Sequence, residues 1–123
     1  MQHASSDIPA LLKLPAHQLS QGLHDRQFSC RELMQATLAR IAEVNPVHNA
    51  IVSLRPEGQL LDEADHYDAM LARGQSMGWM HGVPQAIKDL ANARGLPTTM
   101  GSPLMRDFVA REDGLMVARM KAA

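Results

Sequence analysis

Apolar residues recur along this chain with two different periods. In 14–27, Leu19 and Leu23 lie four apart on one face, which predicts a short helix closed by residues 25–28. Ser29 opens a clearer pattern. Met34, Leu38 and Ile41 form one stripe, flanked by Leu33, Thr37 and Val44, with Glu32, Ala39 and Glu43 opposite. Ser29-x-x-Glu32 has capping-box spacing, in which the serine oxygen accepts an unpaired backbone N–H and the glutamate reaches back. Asn45-Pro46 predicts the end of this helix, because a residue before proline is pushed out of helical geometry. A second amphipathic helix is predicted over 56–73, with Leu60, Leu61, Ala64, Tyr67 and Leu71 on its apolar face. Glu57, Asp62 and Glu63 sit towards its start and Arg73 at its end, in line with the helix dipole, and Gly74 suits the cap. A last helix is predicted from Asp113 as N-cap through Met116 and Met120.

Two shorter runs read as strands: 50–54, rich in β-branched residues, and 83–90. Residues 95–103, with two glycines and two prolines, read as a loop. Helices alternating with strands predict an α/β fold, with helices packed on the strands of an incomplete mixed sheet. The last helix runs into Lys121-Ala122-Ala123 without a stop signal, where α/β logic calls for another strand. Residues 1–13 are expected to be a flexible N-terminus and 14–123 the folded part; no internal repeat or low-complexity tract is seen.

Composition narrows the function classes. At 123 residues the chain has the size of one ordinary domain. A net charge of -1 argues against a nucleic-acid partner, and 3% aromatic residues leave little for base stacking. No long apolar run or leader pattern is present, so a soluble cytoplasmic protein with no membrane partner is expected. Cys30 is the single cysteine, which excludes an intrachain disulfide. It is read as a small half-buried residue in a first helical turn, against the alternative of a thiolate stabilised there.

Candidate chemistry is sparse. Asp62 and His66 are spaced to share a helix face as metal ligands, but neighbouring acids make a solvated face the better reading, and no third ligand is suitably spaced. No cofactor motif is read. None of the seven serines lies in a Gly-x-Ser-x-Gly elbow; Ser102 comes nearest and reads as a loop residue. Lys88, one of three lysines, ends the 83–90 run. Alternation puts Ala86, Lys88 and Leu90 on one face, with Asp89 pointing away. Spacing alone favours a strand-end lysine reaching water. The alternative is a desolvated amine whose lowered pKa would make it a base near neutral pH.

Here a family resemblance enters. "GVPQAIKDL", then "GLPTTMGS" and "EDGLMVARMKAA", together with "NPVHNAIVSL" and "DAMLARG" upstream, resemble the N-terminal part of amidase-signature enzymes from about Leu14 onward. The resemblance implies hydrolysis of carbon–nitrogen amide bonds by a Ser-Ser-Lys triad, with Lys88 as the catalytic lysine that takes a proton from a bridging serine, which in turn takes one from the nucleophile. In that family both serines lie further on, in Gly/Ser-rich segments that these residues do not include. The expectation is therefore an N-terminal fragment of an amidase-signature domain, inactive alone, whose complete enzyme takes a small-molecule amide. Two alternatives accompany it. One is a non-catalytic fragment that associates with itself or with a complementary piece, since unpaired strand edges and exposed apolar faces favour association. The other is the glutamine-hydrolysing subunit of a transfer-RNA amidotransferase.

Overall fold

A computed structural model describes residues 9–123. Its elements are a 3-10 turn at Ala10–Lys13, α1 at Ala16–His24, α2 at Cys30–His48, α3 at Glu57–Ala72, a second 3-10 turn at Pro103–Met105, and α4 at Leu115–Lys121. The chain divides into two units, one holding the residues up to Ser76 together with His81–Pro84, the other holding Met77–Met80 and Gln85–Ala123.

The first unit is built on helix packing. Leu23, Cys30, Leu33 and Ala64 are buried together, with Leu11, Leu12, Leu19, Phe28, Met34, Tyr67, Leu71 and Val83 against them. Each buried leucine contributes roughly 1.5–3 kcal/mol. The deepest side of α2 is Cys30 and Leu33, one position round from the Met34 stripe that spacing predicts. Of the segment 1–13, residues 1–8 lie outside those described; Ala10–Lys13 forms its 3-10 turn, and Leu11 and Leu12 pack on the core.

The start of α2 accounts for each of its leading N–H groups. Ser29 Oγ accepts from Glu32 N at 2.9 Å, and Glu32 Oε2 accepts from Ser29 N at 2.7 Å, completing the expected capping box. Asp68, on α3, takes the two between: Cys30 N at 2.7 Å and Arg31 N at 3.1 Å. Arg31 also pairs with Asp65.

The end of α2 departs from expectation. Pro46 lies inside the helix, which continues to His48 and stops at Asn49 in left-handed geometry, φ 48°. The proline costs the helix one ladder bond, and only two helical residues follow it. Asn45 then directs the path of the chain beyond the helix. Its side-chain amide donates to Ile51 O at 2.8 Å and its carbonyl accepts from Ile51 N at 2.9 Å. Those bonds occupy the N–H and C=O of Ile51, two of the groups a strand at 50–54 would have used, and that strand does not form; Val52 is 71% exposed. The 56–73 helix forms as α3, ending at Arg73 and Gly74, φ 71°.

The mixed-sheet part of the α/β expectation is not met in the second unit either. Residues 83–90 are not a strand, and no strand is present among the described residues. Extended segments need paired neighbours to persist, and here the one isolated bridge is antiparallel, between Pro97 and Val109. Around it Thr98 N donates to Phe108 O at 3.1 Å and Gly95 N to Ala110 O at 2.8 Å. Buried side chains in this unit are small or polar: Ala93, Thr98, Ala110 and Val117. The N-cap of α4 is Gly114, one residue later than the sequence predicts. Asp113 accepts instead from Arg94 N at 2.7 Å and pairs with Lys121 Nζ at 2.8 Å.

Candidate active site

The "HGVPQAIKDL" run passes from one unit to the other between Pro84 and Gln85. Its first half is structural. His81 is buried, its Nε2 3.0 Å from Tyr67 O, with its ring edge-on to Tyr67. Gly82 has φ 74°, and a Cβ there would stand 2.3 Å from Cys30 Sγ, so only glycine fits.

Lys88 belongs to the second half and to the second unit. Its carbonyl closes a turn, accepting from Ala91 N at 3.0 Å. Alternation would enclose the amine between Ala86 and Leu90, but all three residues are exposed, so that enclosure is absent among the described residues.

The next residue ties this turn to the Gly/Thr loop. One carboxylate oxygen of Asp89 accepts from Thr99 N at 2.7 Å and the other from the Thr99 hydroxyl. The Asp89 backbone carbonyl accepts from Met100 N at 3.2 Å. Thr99 Oγ1 in turn accepts from Gly101 N at 3.3 Å, and Thr99 O from Ser102 N at 2.9 Å. The loop can take this path because Met100 and Gly101 both adopt positive φ, 52° and 70°. The Thr99 hydroxyl and amide hold the Asp89 carboxyl below its ordinary value of 3.8, so it stays ionised as an acceptor.

The other candidates have structural places. Ser102 Oγ accepts from Leu104 N at 3.3 Å and caps the short 3-10 turn. Burial pushes the Cys30 thiol up to about 12, reinforced by a hydrogen bond to Asp68 and that carboxylate's charge, which excludes the thiolate reading. Asp62 and His66 are exposed on α3, and among the described residues no group of three or more His, Cys, Asp or Glu could hold a metal ion. No helix of the described residues is long and apolar enough to cross a membrane. Sequence reasoning missed Asp89 and Thr99. The one available signal was a carboxylate with no basic residue three or four positions away, succeeded by a loop rich in donors.

A family model described as Amidase matches residues 32–123, which include Lys88, Asp89 and the Thr98–Ser102 loop. The chain belongs to the amidase-signature family. Among similar relatives, the A-subunit of glutamyl-tRNA(Gln) amidotransferase from Bdellovibrio bacteriovorus is 38% identical over 104 residues, covering 85% of this chain and 21% of the relative. Its counterpart from Azotobacter vinelandii is 40% identical over 111 residues, covering 90% and 23%. Among solved structures, the native peptide amidase of Stenotrophomonas maltophilia superposes with a TM-score of 0.81 at 28% identity, over 92% of this chain and 23% of that one. The chain thus spans about a quarter or less of these amidase-signature proteins.

Proposed function

We propose that this chain is the lysine-bearing portion of an amide hydrolase, with Lys88 as the general base of a Ser-Ser-Lys triad whose two serines lie outside these residues. The observation that carries the reading is the Amidase match running through Lys88 and its loop. The base role asks for a neutral amine near neutral pH, which desolvation provides. Lys88 is exposed in this chain, so the reading requires further polypeptide to cover it. The chain alone is then inactive, lacking both a nucleophile and the oxyanion donors that usually supply much of transition-state stabilisation.

A second reading is the glutamine-hydrolysing component of a transfer-RNA amidotransferase, favoured by the 38–40% identity to such proteins over most of this chain. Ammonia release from glutamine and from a C-terminally amidated dipeptide tests both. The 123-residue chain should release none from either; turnover that disappears in Lys88→Ala would show that it is catalytic by itself. Coding DNA that continues in frame beyond Ala123 into a Gly/Ser-rich segment is expected, and a stop codon there would favour a non-catalytic fragment. In the longer product, preference for glutamine would support the amidotransferase reading, and preference for the dipeptide a stand-alone amidase.

A further inference from the structure

Asp89 stands beside Lys88 in sequence, and its bonding differs from that of the first-unit acids that pair with arginine. Arg31–Asp65, Arg40–Glu43 and Arg55–Glu63 are ion pairs to long arginine side chains. Asp89 engages a backbone N–H, a hydroxyl and, through its own carbonyl, a second backbone N–H, all from two successive residues of one loop. Three bonds from one residue to Thr99 and Met100 fix both the position and the direction of the Asp89 peptide. The peptide that precedes it begins at the Lys88 carbonyl, which is held separately by Ala91 N. The backbone that carries the Lys88 side chain is therefore clamped on its C-terminal side by the loop.

We infer that Asp89 is a positioning residue: by latching Thr99 and Met100 it sets where the Lys88 amine stands relative to the Thr98–Ser102 loop. The inference rests on the reading of Lys88 as the base. A base must sit within hydrogen-bond reach of the proton it takes, and a misplacement of about 1 Å costs on the order of 100-fold in rate. A two-oxygen latch to one loop fixes the backbone from which the exposed Lys88 side chain departs, so it limits the region the amine can reach while leaving its rotamers free. Thr99 is the complementary half, because its hydroxyl donates to Asp89 while accepting from Gly101 N and so keeps the loop in its left-handed course.

The test uses the 123-residue chain. With only Lys13, Lys88 and Lys121 present, reductive methylation with 13C-formaldehyde gives three dimethyl-lysine signals and retains their charge. Lys121 is held by Asp113 and serves with Lys13 as an internal reference. Asp89→Ala should move the Lys88 signal and leave the other two in place, and the Thr99 amide should exchange about tenfold faster, the loss expected for a charge-assisted hydrogen bond. Thr99→Val, which removes the hydroxyl but keeps shape and N–H, should move Lys88 the same way by less; Thr99→Ser should restore the parent spectrum. If the loop amides change and the Lys88 signal does not, Asp89 is structural only and the inference fails. If neither changes, the latch itself is refuted. Should Asp89→Ala not fold, Thr99→Val against Thr99→Ser decides alone. Because the readout is the placement of the amine and not turnover, its failure leaves the amidase reading standing. An inactive longer enzyme would equally leave the latch in place.

Discussion

In the first unit, Leu23, Leu33, Cys30 and Ala64 bury apolar surface between helices, and polar bonds finish the helix ends. In the second, the buried side chains are Ala93, Ala110, Val117 and Thr98, while Leu90, Leu104 and Leu115 are exposed. Order there comes from carboxylates gripping backbone: Asp89 on Thr99, Asp113 on Arg94. The two respond to different insults. A packed core is sensitive to lost volume and insensitive to mild acid; a hydrogen-bonded loop assembly is the reverse. The residues proposed for chemistry, Lys88 and its latch, lie in the second unit, whose described buried side chains are Ala93, Thr98, Ala110 and Val117.

The largest expected effect is on the core. Leu33→Ala should destabilise the first unit by about 2–5 kcal/mol, read from denaturant midpoints, whereas Leu104→Ala, at a position 94% exposed, should be near neutral. Equal effects would erase the contrast between the units.

The next concerns Cys30. Its folded thiol titrates at about 12 against an ordinary value of 9.0, so the folded state holds the proton more tightly than the unfolded one. The resulting stabilisation is complete below 9.0 and is lost as pH rises from there towards 12. Denaturation midpoints across that window should fall for the parent chain and stay flatter in Cys30→Ala. Parallel curves would show that thiol ionisation is not what limits the first unit in alkali.

The smallest effect belongs to the second unit in acid. Asp89 and Asp113 both titrate below their ordinary 3.8 when folded, Asp89 through Thr99, Asp113 through Lys121 and then Arg94 N. Their contribution is present above 3.8 and fades as pH drops below it through the lowered folded values. Amide exchange should show Thr99 and Arg94 losing protection in that range while the interior of helix α2, beyond its first turn, keeps its own. Simultaneous loss everywhere would mean that the two units open as one.

Legibility in the sequence tracks the range of the interactions. Helices α2 and α3 are readable because helix bonds, caps and apolar stripes all lie within a few residues, and Ser29 with Glu32 announces its own cap. Strand patterns mislead because a strand depends on a neighbour elsewhere in the chain, and in the β-rich run at 50–54 the Asn45 amide takes both backbone groups of Ile51 instead. Lys88 is proposed as the base only through its motif, since its surroundings are not what alternation suggests. Asp89–Thr99 and Asp68–Cys30 span 10 and 38 positions, and no local pattern signals bonds of that reach. Asp113 stands out as a polar residue at a helix start, yet its backbone partner is Arg94, 19 positions back.

The span between Cys30 and Asp68 also has a temporal meaning. At roughly 5–20 residues per second, a ribosome delivers Asp68 about 2–8 s after Cys30. Until then the first turn of α2 has its own serine and glutamate but two backbone donors still facing water. Helix α2 therefore begins life provisionally and is sealed only when α3 arrives, so its completion waits on the later helix.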